Sequence, residues 1–331
     1  GRPFGIQDNQ LFVTASIGIS TYPGDGLTAD ELVRNSDAAM YRAKENGKNN
    51  YQFYTRELTV IARENLQLES SLRMALERDE FVLYYQPKWD AASGVITGVE
   101  ALLRWQHPER GLISPTSFLC TLEDSGLILP VGQWIVQTAC QQAQAWREQG
   151  LPPIQMSINL SGRQIVGGSL LQLITDSLSD SGLDSRYLEL EVTESFIMQQ
   201  PEDVVELLDS LRALGVSISI DDFGTGHSSL SYLKQLPVQK LKIDRSFIRD
   251  IPADADDMAI TGAIIAMGHR LQMSIVAEGV ENAEQLAFLV EQGCEEAQGF
   301  LYSAPLAARE VPALLQNMPR SGAKAAVAAS A

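Results

Sequence analysis

The segment SISIDDFGTG ends an apolar–polar alternation in two adjacent carboxylates, Asp221 and Asp222, followed by Gly224 and Gly226. Like charges side by side repel, and a turn needs only one Asp to bond its own backbone, so the pair calls for a positive partner. Similar residues end the other short alternations: Glu100, Asn159, Glu191, Lys242, Asp244, Glu278 and Gln298. All but Lys242 are oxygen donors. Such a set selects hard divalent ions, Mg²⁺ or Mn²⁺, over zinc, and that many carboxylates in one cavity stay ionised only beside cations. Asp221 and Asp222 are placed to hold two ions, with Asp221 bridging. Two ions suit in-line attack of an activated water on a phosphate ester. Gly224 and Gly226 let the backbone approach a ligand, although a plain turn also explains them.

These residues need a scaffold that brings strand ends together. Strand patterns occur at FVLYYQ (81–86), ITGVEALL (96–103), IQMSINL (154–160), YLELEVT (187–193), VSISID (216–221), KLKI (240–243), SIVAE (274–278) and GFLYS (299–303), with helical patterns between most of them. Eight strands alternating with helices over about 250 residues predict an α/β fold, a (β/α)8 barrel. Only WDAASGV separates the first two strands. Parallel pairing needs a crossover of a dozen or more residues, so the first strand is expected to be antiparallel. Alternation then sorts the faces. Ser157 and Asn159, Glu189 and Glu191, Ser217, Ser219 and Asp221, and Lys240 and Lys242 share the polar parity, which must point inward if the apolar parity packs on helices. The polar strand ends then meet at the C-terminal mouth, where such barrels carry their active sites.

Bulk properties exclude other classes. The chain has 331 residues, 45% of them hydrophobic, enough for one large domain plus a smaller piece. Its formal net charge of −17 argues against gripping DNA, RNA or an anionic membrane. Cys120, Cys140 and Cys294 have neither zinc-site nor disulfide spacing, and His107, His227 and His269 show no metal-ligand spacing. No apolar run reaches transmembrane length. The opening segment holds too few elements for a core of its own, Thr59 to Arg78 has the pattern of a connecting helix, and SGAKAAVAASA is a low-complexity tail expected to be disordered.

The runs EALLRW (100–105), HPERGLISPTSF (107–118), SINLS (157–161), LELEVTES (188–195), DDFGTGHSSL (221–230), KLKIDRSFI (240–248), VAEGVEN (276–282) and QGFLYSAPL (298–306) resemble, in order and spacing, the EAL-domain cyclic-di-GMP phosphodiesterases. SIGIS, YPGDG and DAAMYRAKENGKN resemble the C-terminal part of a GGDEF diguanylate cyclase domain, without the GGDEF motif. Lys44 and Lys48 look like that family's phosphate-contacting pair. The resemblance implies residues 1–56 as a GGDEF fragment, 57–72 as a connecting helix, 73–318 as an EAL domain and 319–331 as a tail. It further implies hydrolysis of cyclic di-GMP to linear pGpG by a metal-activated water, with two Mg²⁺ or Mn²⁺ ions. Glu100, Asn159, Glu191 and Asp221 would bind the first ion, and Asp221, Asp222 and Glu278 the second. Lys242 and Glu278 would orient or deprotonate the water, and Arg104 would contact the substrate phosphate. Glu194 would anchor the loop after Asp222 by accepting hydrogen bonds from loop amides or hydroxyls such as Thr225, Ser228 and Ser229. Glu281, Asp244 and Gln298 are supporting or substrate-side positions, and Gln86 and Leu102 are ligand contacts. His227 and Gln239 depart from the family pattern and are expected near that loop, where they would alter dimer-linked control; SFLCTLEDSG is a looser match. A homodimer through the EAL domain, an upstream sensory domain and a cytoplasmic catalytic module, with any membrane tether upstream, complete the expectation. The rival class is a catalytically silent EAL-like receptor. It would lack part of the metal or base set, which this sequence retains.

Overall fold

The computed structural model describes residues 4–6, 9–11, 14–45, 49–199, 201–226 and 233–316. It divides into two compact units, residues 1–74 and 75–331, with the division inside the helix Arg56–Glu77. In the first unit Ile17–Ile19 pairs in parallel with Tyr51–Phe53, and the helix Ala29–Glu45 lies on that pair. Gly18 permits the contact, since a Cβ there would meet Ser36 O at 1.8 Å. Lys44 is exposed near the helix end; Lys48 and the tail 319–331 lie outside the described residues.

The second unit is a closed eight-stranded barrel. Its strands are β1 (Phe81–Asp90), β2 (Ile96–His107), β3 (Gln155–Leu160), β4 (Leu188–Thr193), β5 (Ser217–Phe223), β6 (Lys240–Ile243), β7 (Ser274–Ala277) and β8 (Glu296–Gln298). From β2 to β8 neighbours pair in parallel, whereas β1 runs antiparallel to both β2 and β8 and closes the ring. The expected antiparallel start therefore holds, and its cause is the short connection after Asp90. Helices α1 (Ile128–Glu148), α2 (Leu170–Ser181), α3 (Pro201–Ala213), α4 (Ala255–Arg270) and α5 (Ala283–Gln292) lie between successive strands. Some carry explicit start signals. Asp254 caps α4, and Asn282 with Gln285 forms a capping box on α5, satisfying amides that have no partner within the helix.

Both faces of the strands are buried, with different chemistry. Val99, Met156, Ile158, Leu190, Val192, Ile218, Ile220, Leu241 and Ile243 form the apolar set, while Ser157, Glu189, Glu191, Ser219 and Lys242 of the other parity are buried too. The interior of this barrel is thus filled with charge rather than with the branched apolar layers common in such folds. One strand expectation needs correction: β8 is Glu296–Gln298, and GFLYS is a turn. Gly299 lies so close to Val280 that a Cβ would sit 2.1 Å from its carbonyl oxygen, and the chain then folds back through Tyr302 N to Gly299 O. No helix among the described residues is long and apolar enough to cross a membrane.

Candidate active site

At the end of β5 the pairing with β6 shifts register between Ile220 and Phe223, a bulge that contains the two aspartates. Asp222 has φ +54°, a left-handed conformation that Asp tolerates better than most residues. In a regular strand adjacent side chains face opposite sides; here carboxylate oxygens of Asp221, Asp222 and Glu278 come within 4.8 Å of one another. Asp222 N–H bonds to Asp221 Oδ1 at 3.0 Å.

Lys242, fully buried on β6, is the hub of the mouth. Its Nζ lies 2.6 Å from Glu278 Oε1, 2.9 Å from Asp221 Oδ1 and 3.8 Å from Glu100 Oε2, and it also pairs with Glu191 Oε2. Asn159 Nδ2 donates to Glu100 Oε1 at 2.5 Å, and Gln298 Nε2 donates to Glu100 Oε2 at 2.6 Å and Gln86 Oε1 at 3.1 Å. Glu100, Asn159, Glu191, Asp221, Lys242, Glu278, Gln86 and Gln298 are thereby gathered into one network. Beneath it lies a second layer, in which Ser157, Glu189 and Lys240 belong to the expected inward parity while Lys88 and Glu296 were not anticipated. Lys88 bonds Ser157, Glu189 and Glu191, and Lys240 pairs with Glu189 and Glu296. The signal was present in the parity of β1, where Tyr84, Gln86 and Lys88 share a face.

The remaining positions are more peripheral. Gly224 N–H donates to Glu194 Oε2 at 2.7 Å, but the Thr225 hydroxyl bonds the Asp222 carbonyl instead, at 2.8 Å, because the turn brings that oxygen three residues back. His227, Ser228 and Ser229 lie outside the described residues. Asp244 caps a short turn, accepting from Ser246 N and Oγ, and Arg104 donates to the Leu103 carbonyl. Glu281 is exposed; with Leu102 it lines a cavity of about 260 Å³ that also includes Glu278, Gln298 and two residues not anticipated, Arg245 and Phe300. Gln239 is not at the mouth beside the described loop residues Gly224 to Gly226. It precedes β6 and bonds Ile218 at the start of β5, at the end of the barrel opposite the mouth, since both strands run from there toward the site.

The mouth carboxylates repel one another. Burial, reinforced by the negative charges of Asp221 and Glu100, pushes the Glu278 carboxyl well above the usual range despite Lys242. Burial also pushes Glu191 up to about 7 against the pull of Lys242 and Lys88, and raises Asp222, helped by Asp221 and Asp244. For Lys242 burial opposes the charge, but Asp221, Glu100, Glu191 and Glu278 outweigh it and hold the ammonium well above its ordinary range. The connected network sets three ammonium groups (Lys88, Lys240, Lys242) against seven carboxylates (Glu100, Glu189, Glu191, Asp221, Asp222, Glu278, Glu296). Four formal negative charges are left over, an excess that divalent cations would offset. The all-oxygen donor set fits such ions.

Comparison with known proteins decides the family. The EAL domain model matches residues 69–305, and the model of the diguanylate cyclase GGDEF domain matches residues 1–50. This chain belongs to the EAL-domain family. It carries a GGDEF fragment ahead of its EAL domain. It is 47% identical over 310 residues to the bifunctional diguanylate cyclase/cyclic di-GMP phosphodiesterase MucR of Pseudomonas aeruginosa, covering 94% of this chain and 45% of MucR. To the cyclic di-GMP phosphodiesterase PdeR of Escherichia coli it is 36% identical, covering 92% of this chain and 46% of PdeR. The chain thus spans less than half the length of these curated relatives. The structure of the P. aeruginosa MucR phosphodiesterase in complex with c-di-GMP superposes with a TM-score of 0.72 at 47% identity, covering 74% of this chain and 99% of that one. The EAL domain of Mycobacterium smegmatis DcpA, at 34% identity, covers 71% of this chain and 95% of that one with a TM-score of 0.60.

Proposed function

We propose that this EAL domain hydrolyses one phosphodiester of cyclic di-GMP to linear pGpG. The observation that carries the reading is the convergence of Glu100, Asn159, Glu191, Asp221, Asp222 and Glu278 around Lys242 at the barrel mouth. The relatives' names and the c-di-GMP complex support the substrate. Glu100, Asn159, Glu191 and Asp221 would hold one Mg²⁺ or Mn²⁺ ion, and Asp221, Asp222 and Glu278 a second. Bound ions would supply an activated water and neutralise charge on the phosphate. The chain's own groups do the rest. Lys242 fixes the Glu278 carboxylate at 2.6 Å and orients the attacking water. Glu278, one-fifth exposed and raised in pKa, would accept one proton of the water as the water oxygen forms its bond to phosphorus and the P–O bond to the ribose oxygen breaks, and that proton would then go to the ribose oxygen, which leaves as a hydroxyl. Arg104 would contact the phosphate, with Gln86, Leu102, Asp244 and Gln298 as further substrate contacts. Glu194 and Glu281 would support the loop and the mouth.

A silent receptor would not need this full set of ligands and base, so the mouth favours catalysis. The same reading includes a homodimer formed through the EAL domain, a sensory domain upstream, and a catalytic module in the cytoplasm with its nucleotide substrate. Light scattering tests the first. The central experiment incubates the chain with cyclic di-GMP and Mn²⁺ or Mg²⁺ and separates the products. Linear pGpG is expected; binding of the nucleotide without any cleavage would refute the enzyme in favour of the receptor.

A further inference from the structure

Lys88 has no exposed surface and lies on β1 just past Pro87, one layer below the mouth. Its ammonium donates to Ser157 Oγ at 2.5 Å, Glu189 Oε1 at 2.5 Å and Glu191 Oε1 at 2.9 Å, so its three protons have three acceptors. The other oxygen of Glu191 is taken by Lys242. One carboxylate is therefore gripped by two lysines, one on each oxygen. A carboxylate has about four lone-pair directions, and fixing two of them fixes where the others point. Lys242 alone does not secure this orientation, because three further carboxylates compete for it.

We propose that Lys88 is a positioning residue for the reaction: it holds Glu191 from beneath, so that this carboxylate presents its remaining lone pairs to a divalent ion in one orientation. The proposal rests on the reading of Glu191 as a metal ligand. Stability gives no competing reason for a charge at this depth, since replacing a buried ion pair with uncharged groups of similar volume is often neutral or stabilising. The value of Lys88 lies in the direction it gives to Glu191.

The test is a charge-matched pair of double variants. Lys88→Met with Glu189→Gln removes one positive and one negative charge and leaves Glu191 without its lower partner. Lys240→Met with Glu296→Gln makes the same change on the far side of Glu189, out of contact with Glu191. Calorimetric titration with Mn²⁺ alone, without nucleotide, is expected to show about a 10- to 100-fold weaker affinity for the first variant, the loss typical when a ligand's outer partner is removed. The second should stay within about threefold of the parent, as expected where no ligand loses a partner. Equal affinities in parent and first variant overturn the proposal, and a parent that binds no Mn²⁺ overturns the ligand reading as well. Should the first variant not fold, ¹⁵N-lysine spectra of the unaltered chain decide. Added Mg²⁺ is expected to shift the Nζ resonances of Lys88 and Lys242, and a Lys88 signal that stays still while that of Lys242 moves would overturn it.

Discussion

Glu194 offers the sharpest test of how the loop after Asp222 serves the site. It is buried at 1% exposure and accepts a 2.7 Å bond from Gly224 N–H, two residues beyond the bulged aspartate. Gly226 lies against it as well, where a Cβ would stand 2.8 Å from Oε1. Glu194→Ala removes the acceptor and leaves the Gly224 amide without it. A hydrogen bond to a charged group contributes about 1.5–3 kcal/mol, which at about 1.4 kcal/mol per tenfold is roughly a 10- to 150-fold change in the fraction of chains with the loop held down. Because that loop sets the left-handed turn at Asp222, the loss should appear as a 10- to 100-fold increase in the Mn²⁺ concentration giving half-maximal hydrolysis. Glu194→Gln retains an oxygen at the same reach without the charge and should fall between Ala and the parent. The assay is hydrolysis of cyclic di-GMP across an Mn²⁺ series, with a thermal melt confirming that the barrel persists. An unchanged metal requirement at normal activity would show that the Glu194–Gly224 bond does not govern the geometry at Asp222.

Three further outcomes are expected. Thorough chelation should abolish turnover and readdition of Mn²⁺ or Mg²⁺ restore it; turnover undiminished after chelation would refute the metal assignment. Glu278→Gln should lower kcat by about 100-fold or more, in keeping with loss of a general base, while KM changes little; equal rates at saturating substrate would remove Glu278 from proton transfer. The metal-free chain should lose stability as pH rises. Glu191, raised from 4.5 to about 7, contributes stability that is fully present below about 4.5 and lost as pH passes through about 7, and raised Glu278 acts in the same direction. Melts of chelated protein from pH 5 to 8 check the sign, and saturating Mn²⁺ should flatten the slope.

Much of the site was legible because a strand has a period of two. That period alone put Asn159, Glu191, Asp221 and Lys242 on one side of their strands, and the barrel brought them together. Lys88 escaped notice because Pro87 reads as a strand end, since it removes a backbone donor. In the folded chain Pro87 stays in register opposite Val99, and the face continues through Lys88. Asp222 was recognisable by chemistry and not by position. The alternation points it away from Asp221, and only the bulge with its positive φ turns both carboxylates to the same mouth. GFLYS has the composition of a strand, but the contact that bends it is between Gly299 and the backbone of Val280, nineteen positions away and invisible to local pattern. Arg245 and Phe300 reach the cavity from turns, where no periodicity guides the eye.

The reversed first strand makes the barrel a hoop fastened by a clasp. Seven strands could remain zipped in parallel and still leave the ring open; what shuts it is the three-residue tongue Glu296–Gln298 against Lys88–Asp90. So short a fastening has little backbone bonding of its own. It is riveted by a side chain that also belongs to the mouth network: Gln298 reaches across the seam to Gln86 on β1 and on to Glu100 on β2. Whatever tightens the mouth therefore tightens the hoop, and a chain that springs its clasp loses its shape and its reaction together.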